Sequence, residues 1–149
     1  MDTIAGIILT PLNIIAGSSG KVLHALKKSE PSYAGFGEAY FSTVQHQAAK
    51  GWKRHREMTL NIVVPYGAIR FVLFDDRENS ATKGLIQEVI LSPNNYQRLT
   101  VPPGIWMAFS GVAEHESILL NIASIPHDPA EADSLPLHND HIPFKGFTV

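Results

Sequence analysis

The sequence predicts an all-β protein, built as a sandwich or a jelly roll. Short apolar runs are separated by turn residues along the chain, and apolar residues do not recur at helical spacing for more than two turns. These runs are spaced roughly 8–12 residues apart, which is typical of sandwiches and jelly rolls. Strands are predicted at residues 36–45, 59–64, 68–75, 85–91, 97–101, 105–109 and 117–125.

The first of these strands, 36–45, has an alternating pattern that places Glu38, Tyr40 and Ser42 on one face. Polar side chains inside a barrel are costly unless they meet a ligand or one another. We therefore expect this face to line a pocket.

Proline and glycine mark the turns between the central strands. The run 59–64 is rich in β-branched residues and ends at Pro65, which is poorly tolerated inside a sheet. Gly67 and Gly104 are predicted to form turns, since glycine takes the positive φ angles that tight turns need. The strands are therefore expected to follow one another through short connections.

The strand predicted at 68–75 is apolar on both faces. Ile69, Phe71 and Leu73 fall on one face, and the other face carries two more apolar residues beside Arg70. A strand of this kind needs a cover on its outer side. The sequence has no long helix for this purpose, so the cover would be another strand of the chain or a second subunit. We predict a homodimer.

The length of 149 residues fits one domain with a core of ordinary size. We predict a single domain over 1–149. Its parts are an N-terminal arm or strands at 1–30, the barrel at 36–125, and a C-terminal loop and tail at 126–149.

Composition narrows the function classes. Lys and Arg number 12 against 14 Asp and Glu, without a long basic run, so nucleic acid is not an expected partner. The chain has no cysteine, which excludes disulfides and thiolate chemistry.

The apolar stretch 4–16 lacks the basic start of a signal peptide and is broken by Pro11 and Asn13. It is also shorter than the about 20 apolar residues of a membrane span. We expect a cytoplasmic protein without a membrane partner.

A basic segment, KGWKRH, follows the first predicted strand, and we interpret it as a charged turn at the mouth of the barrel. Its cationic or ionisable side chains are Lys50, Lys53, Arg54 and His55, and Arg56 follows directly after the segment. Such a cluster suits a dianionic ligand such as a diphosphate, although basic strand ends are often simply solvated. Histidine exchanges protons near neutral pH, so His55 is the candidate general base.

A metal site is not expected. Barrels of this kind assemble a metal site from two or three histidines and a carboxylate on different strands. Here the histidines other than His55 are scattered at loops and strand ends without an HxH or HxxxH pair, and a later strand offers Met107, a poor ligand for such ions. No metal and no other cofactor are predicted.

Three ordered motifs carry a resemblance to a known family. The chain contains D-x-R-x-x-S-x-T-x-G, then L-S-x-x-N, then P-x-G-x-x-H-x-F with methionine at the histidine position. The matching residues are Asp75, Arg77, Ser80, Thr82 and Gly84 in the first motif, Leu91, Ser92 and Asn95 in the second, and Pro102, Gly104 and Phe109 in the third. In this order and spacing the motifs resemble the dTDP-4-dehydrorhamnose 3,5-epimerase family. The resemblance covers residues 36–125. It implies a jelly-roll cupin barrel, usually dimeric, that binds a deoxythymidine-diphosphate 4-keto sugar without metal.

The chain departs from this family where the family does its proton chemistry. The epimerases carry R-G-x-H near the barrel mouth, and here Lys50 replaces the arginine and Lys53 the histidine. The 3,4-ketoisomerases of the same fold resemble R-G-x-H-x-H, and His55 matches their second histidine. A tyrosine acid expected soon after the strand at 117–125 is replaced by His127.

The resemblance implies an isomerase that removes a proton alpha to a ketone and returns one. Such a reaction needs a base, an acid and a group that stabilises the enolate oxygen. We predict His55 as the base, Lys53 as the cation at the enolate, and His127 or Tyr40 as the acid. The predicted ligand contacts are Lys50, Trp52, Arg54, Glu38, Arg70, Arg77 and Trp106.

Alternatives stay open at this stage. The two tryptophans can equally close the core, and Arg77 can form a salt-bridged turn with Asp75 and Asp76. For the whole protein, one alternative is a module that binds the sugar nucleotide without turning it over. A second is a metal-dependent cupin that uses His55 with histidines from loops. The sequence names neither the sugar nor the carbon that reacts.

Overall fold

The computed structural model describes residues 3–147, and apart from one 3₁₀ turn its regular structure is β-strand. The strands are β1 (Ile8–Pro11), β2 (Ile14–Gly17), β3 (Gly20–Leu23), β4 (Glu38–Val44), β5 (Ala49–His55), β6 (Leu60–Tyr66), β7 (Ile69–Asp75), β8 (Ile86–Leu91), β9 (Gln97–Val101), β10 (Ile105–Gly111), β11 (Ser117–Ala123) and β12 (Ala132–Ser134). The 3₁₀ turn is η1 (Pro129–Glu131). The all-β prediction is confirmed.

Two five-stranded antiparallel sheets form the body of the molecule. One has the order β1-β9-β6-β11-β4, and the other has the order β12-β5-β10-β7-β8. Strands β4 to β11 cross between the sheets so that four of them lie in each, which is the arrangement of a jelly roll. The predicted jelly roll is therefore confirmed.

The main core lies between the two sheets. It is formed by the inward residues of alternate positions, with Ile62, Phe71, Leu73 and Leu99 among those that are almost fully buried. Burial of each such side chain stabilises the fold by about 2 kcal/mol. Between β4 and β5 the two sheets leave a cavity, which is described below.

The outer face of the second sheet is covered by the chain's own C-terminal segment, residues 135–147. Val72 and Phe74 of β7 form a second apolar cluster there with Ile142 and Phe147. A strand or a second subunit was expected as this cover, and both expectations are wrong, because an irregular tail rich in apolar residues does the covering. The apolar outer face of β7 is therefore no argument for a dimer.

The segment KGWKRH is a strand and not the charged turn that we expected. Gly51 allows β5 to approach β10 closely, since a Cβ atom there would lie 2.6 Å from the Cβ of Ala108, and its φ of +128° disfavours other residues. Charged residues usually signal a solvated loop, but here the alternation of a strand sends Lys53 and Arg54 to opposite faces. Strand β12 pairs with the free edge of β5, so the predicted C-terminal loop and tail also contributes a strand.

The N-terminal region contains an edge strand and a separate hairpin. Strand β1 pairs with β9 and forms an edge of the first sheet. Strands β2 and β3 pair only with each other in the described part of the chain, and Ile15 and Val22 on them are 54% and 58% exposed. Across residues 3–147, no helix has the length and apolar character needed to cross a bilayer.

Candidate active site

The cavity between the sheets has a volume of about 230 Å³ and is bounded by the inner faces of β4, β5, β6, β10 and β11. Its polar side chains are Tyr40, Ser42, Lys50, Lys53, His55 and Asn121. Its apolar side chains are Leu60, Ile62, Met107, Phe109 and Leu119. An apolar pocket with a few convergent polar groups is the usual form of a small-molecule site.

His55 lies at the end of β5 and is held by Glu131 of η1. The Nδ1 atom of His55 donates a hydrogen bond to Oε1 of Glu131, which leaves Nε2 as the free ring nitrogen. Two backbone contacts fix this end of the strand, because Arg56 N donates to Glu131 O at 2.8 Å and Gly104 N donates to His55 O at 2.8 Å. The imidazole is thus fixed in position and tautomer at the wall of the cavity.

Glu131 is buried and ionised. Its Oε2 accepts hydrogen bonds from the backbone N–H groups of Glu57 and Met58, at 3.2 and 3.3 Å. Burial alone would raise the pKa of Glu131, but the hydrogen bonds from His55 and from these two N–H groups outweigh it and hold the pKa below its ordinary value. A carboxylate that stays charged in this position stabilises the imidazolium that forms when His55 accepts a proton.

Two lysines line the same wall. Lys50 donates to the carbonyl oxygen of Thr43 at 2.6 Å, so its ammonium group bridges β5 to β4. None of the ion pairs formed within residues 3–147 involves Lys53, whose charge lies on the cavity side of β5. A cation beside an apolar cavity suits an anionic ligand or an oxygen that gains negative charge.

Tyr40 and Asn121 form the polar part of the opposite wall. They are in register on β4 and β11, and Asn121 Nδ2 donates to the hydroxyl oxygen of Tyr40 at 3.1 Å. Our sequence reasoning included Tyr40 but missed Asn121 and Glu131. The signal for Asn121 was a polar residue among apolar ones in the strand at 117–125. Glu131 gave no signal, because a carboxylate in an acidic, proline-containing segment resembles a solvated loop residue.

Trp52, Arg54 and Trp106 are not at the cavity. Successive residues of a strand point to opposite faces, so Lys53 and His55 face inward while Trp52 and Arg54 face outward. Trp52 packs edge-on against the Phe147 ring at 5.7 Å, and Trp106 Nε1 donates to Asp76 at 2.9 Å. None of the three lines this cavity, where we expected them to contact the ligand, and the packing of the tryptophans agrees with core closure.

Arg54 and Arg77 lie in a wider groove of about 610 Å³ on the other side of His55. The Arg54 guanidinium pairs with Asp76 at 3.1 Å and with Asp133 at 2.9 Å. Arg77 pairs with Asp75 at 2.9 Å. Both cations are thus neutralised by carboxylates, and the expected role of each in ligand binding finds no support in this geometry.

The first sequence motif is explained by Asp75, which is fully buried. Its carboxylate accepts hydrogen bonds from the Arg77 side chain and from the hydroxyl groups of Ser80 and Thr82, at 2.6 to 3.0 Å. Burial would raise the pKa of Asp75, but these bonds lower it far below its ordinary value. The backbone oxygen of Asp75 also accepts from Gly84 N at 2.7 Å. The motif builds the turn after β7, which was the structural alternative for Arg77.

The three remaining predicted residues also lie away from the cavity lining. Arg70 is on the outer face of β7, where its guanidinium lies 5.3 Å from the Phe147 ring centre. Glu38 begins β4 and does not line the cavity. His127 is exposed in the segment before η1. Of the eleven predicted site residues, the structure therefore brings together Tyr40, Lys50, Lys53 and His55.

The described residues do not bring a metal-ligand set together. Across 3–147, no three side chains of His, Asp or Glu converge in a way that could hold a metal ion. His55 is the one histidine that lines the cavity, and Met107 faces it from β10.

Comparison with known proteins identifies the family. The chain is 38% identical to the dTDP sugar isomerase of Desulfovibrio desulfuricans, over 95% of this chain and 91% of that one, and the TM-score is 0.92. The chain belongs to the dTDP-sugar isomerase family. No family model matches it.

Two further similar proteins are a curated relative at lower sequence identity and a solved structure with the same fold. The probable low-salt glycan biosynthesis epimerase Agl13 of Haloferax volcanii is 26% identical over 89% of this chain and 86% of its own. The 3'-monoepimerase ChmJ of Streptomyces bikiniensis, solved with dTDP-quinovose, is 17% identical over 91% of this chain and 72% of its own, with a TM-score of 0.82. The resemblance to the epimerases is confirmed, and the chain is an isomerase-type cupin.

Proposed function

We propose that this dTDP-sugar isomerase family member moves protons alpha to the ketone of a dTDP-linked 4-keto-6-deoxy sugar, in the manner of a 3,5-epimerase or a 3,4-ketoisomerase. One observation carries the proposal, which is that His55 and Tyr40 line one cavity from opposite sheets. The substrate class is supported by the similarity of the chain to a dTDP sugar isomerase and to ChmJ, which binds dTDP-quinovose.

In this proposal His55 is the base. Its free Nε2 takes the proton from the carbon beside the ketone, and the electrons of that C–H bond move onto the carbonyl oxygen to give an enolate. Glu131 stabilises the imidazolium that forms, because its carboxylate accepts the Nδ1–H bond. Positioned proton transfer of this kind accelerates such reactions about a hundredfold to ten-thousandfold.

Lys53 is the group that stabilises the enolate. It lies two residues before His55 on the same face of β5, and both residues line the cavity. A cation in a site with apolar walls lowers the energy of a developing oxyanion more than it would in water. No metal or other cofactor takes part in the proposed reaction.

Tyr40 is the acid that completes the reaction. It faces His55 from the other sheet, so a sugar ring between them would lose a proton on one face and gain one on the other. Loss and return on opposite faces inverts the carbon, which favours epimerisation over migration of the ketone. His127, the second candidate acid, lies outside the cavity lining, so we assign no role to it.

Lys50 is the cation proposed to meet the diphosphate. It is exposed at the cavity rim and is held by a neutral carbonyl, whereas Arg54 is neutralised by carboxylates.

We further propose a homodimer, supported by the exposed apolar residues of the β2–β3 hairpin and by Phe41 on β4, which is 68% exposed. The cytoplasmic location stays a prediction.

The proposal is tested by incubating the protein with dTDP-4-keto-6-deoxyglucose in D₂O and following the sugar protons by NMR. Deuterium is expected beside the ketone, at a rate proportional to protein concentration. Binding of dTDP in calorimetry together with no exchange would show a module that binds without turnover, and it would overturn the proposed reaction.

A further inference from the structure

Asn121 is a buried polar residue whose hydrogen-bonding capacity is only partly used. Its side chain lines the cavity and only 2% of the residue is exposed. Its Nδ2 donates to Tyr40, but its Oδ1 is buried and has no hydrogen-bond partner among residues 3–147. A buried acceptor without a partner destabilises the folded protein, because it has lost its hydrogen bonds to water. Because Asn121 lines the cavity, we consider a ligand bound there as the source of the missing donor.

Asn61 provides an internal comparison, since it is equally buried on the neighbouring strand β6. Its Nδ2 donates to the carbonyl oxygen of Ser32 at 3.0 Å, and its Oδ1 accepts from the hydroxyl of Thr100 at 2.6 Å. Both ends of the Asn61 amide are therefore used by the fold. The difference between the two asparagines is that Asn121 faces the cavity and Asn61 does not.

We propose that Asn121 selects and orients the sugar, an inference that rests on the proposed function of the cavity. Its Oδ1 accepts a hydrogen bond from a hydroxyl group on the sugar ring, on the side of the ring that faces β4 and β11. A site built to accept from a hydroxyl rejects the analogue that lacks it, because the acceptor is then left buried and unpaired. The substrate is therefore a sugar that carries a hydroxyl group on the side of the ring that faces β4 and β11.

The amide group of Asn121 also positions the hydroxyl group of Tyr40 for proton transfer. Because Asn121 Nδ2 donates to the phenol oxygen, the hydroxyl proton of Tyr40 is not used in this contact and is available to the sugar. After Tyr40 has given up that proton, the Nδ2–H bond stabilises the phenolate that remains. Asn121 is therefore a positioning residue for Tyr40 as well as a contact to the sugar.

Calorimetry on N121L with two ligands tests the sugar contact. dTDP-glucose carries the sugar without reacting as a ketone, and dTDP lacks the sugar. We expect N121L to bind dTDP-glucose about tenfold more weakly than the wild type and to bind dTDP equally well. Unchanged affinity for dTDP-glucose, or an equal loss for both ligands, would overturn the proposal. N121A repeats the comparison if N121L does not fold.

Thermal unfolding separates this role from a structural one. N121L removes an unpaired acceptor and adds apolar contacts, so its melting temperature should equal or exceed that of the wild type. N61L, the matched control, should melt lower, because it leaves the Ser32 carbonyl and the Thr100 hydroxyl without a partner. Equal destabilisation by both variants would show that Asn121 serves the fold.

A double-mutant comparison tests the link to Tyr40. At saturating sugar, Y40F and N121L should each slow proton return, and Y40F/N121L should be no slower than Y40F. If the rate of the double variant falls by the product of the two single losses, Asn121 does not act through Tyr40. If the wild type shows no proton exchange at all, the proposed reaction is wrong, whereas the dTDP-glucose comparison still decides whether Asn121 contacts the sugar.

Discussion

The carboxylate of Glu131 accepts a hydrogen bond from Nδ1 of His55, and so makes Nε2 the basic nitrogen of an imidazole that lines the cavity. The two residues are far apart in sequence and meet because β12 returns the C-terminal segment to the edge of β5. One oxygen of Glu131 is held by backbone N–H groups, which leaves the other for His55. This pair supports the assignment of His55 as the base.

We predict that E131Q lowers the rate of proton exchange about a hundredfold or more at neutral pH. The amide oxygen introduced by this change would keep the backbone bonds, and the amide NH₂ group would donate to Nδ1 of His55. The ring proton would then sit on Nε2, which is the wrong tautomer for a base. The rate of deuterium entry measured by NMR checks this, with dTDP affinity as the control. Wild-type exchange by E131Q would contradict the role of the pair.

K53M is expected to slow enolate formation by about two to three orders of magnitude, as the loss of one oxyanion-stabilising group usually does. Methionine keeps the length of the side chain and removes the charge. The rate of deuterium entry at saturating sugar measures the effect. The matched control is K21M, which removes a charge from the exposed hairpin and should leave the rate unchanged. Equal rates for K53M and the wild type would show that the enolate is stabilised by another group.

D75N should destabilise the fold by about 3 kcal/mol at neutral pH, because it breaks a buried ion pair and leaves Arg77 without its partner. The pKa of Asp75 is lowered in the folded protein, so its stabilisation is present above about pH 4, the ordinary aspartate value, and is lost as the pH falls toward the lowered pKa. Urea unfolding at several pH values measures both effects. As the pH falls below 4, the free energy of unfolding of D75N should decrease less than that of the wild type. Equal decreases for the two proteins would contradict this account of Asp75.

W106F tests the correction that places the tryptophans outside the ligand site. The change removes the hydrogen bond to Asp76 and the indole that lies 4.6 Å from the Arg54 guanidinium. We expect a loss of stability of about 1–2 kcal/mol and unchanged dTDP affinity. Thermal unfolding and calorimetry give the two quantities. A large loss of dTDP affinity with little loss of stability would instead support the predicted contact of Trp106 with the ligand.

The proposed homodimer predicts the mass of two chains in light scattering. The double variant I15K/V22K puts charges on the exposed faces of the hairpin, where the two wild-type side chains are more than half exposed. If the hairpin contacts a second copy, this variant should be a monomer with an unchanged melting curve at low concentration. A wild-type monomer at micromolar concentration would contradict the proposal.

The fold could be predicted from local patterns because strands repeat every second residue and turns need particular residues. The motif around Asp75 identified the family, and the structure shows that this motif holds a turn together. Turns of this kind depend on neighbours in sequence, so they are visible there. His55, Lys53 and Tyr40 were also found, because charged or aromatic groups at alternating positions stand out.

The rest of the site depends on contacts between distant segments. Glu131 reaches His55 only after the chain has passed through six further strands, and the outer cover of β7 comes from residues 135–147. Trp52 was misplaced because KGWKRH was interpreted as a turn. In a turn, neighbouring side chains can share a site, whereas in strand β5 they point to opposite faces.

The most direct test of the account is the rate of deuterium entry into dTDP-4-keto-6-deoxyglucose, measured by NMR in D₂O for the wild type and for H55N. Asparagine retains a hydrogen-bond donor toward Glu131 but cannot accept a proton at the cavity side. The account predicts exchange beside the ketone by the wild type and a loss of at least about a thousandfold in H55N, with dTDP binding retained. Equal exchange by the two proteins would contradict it.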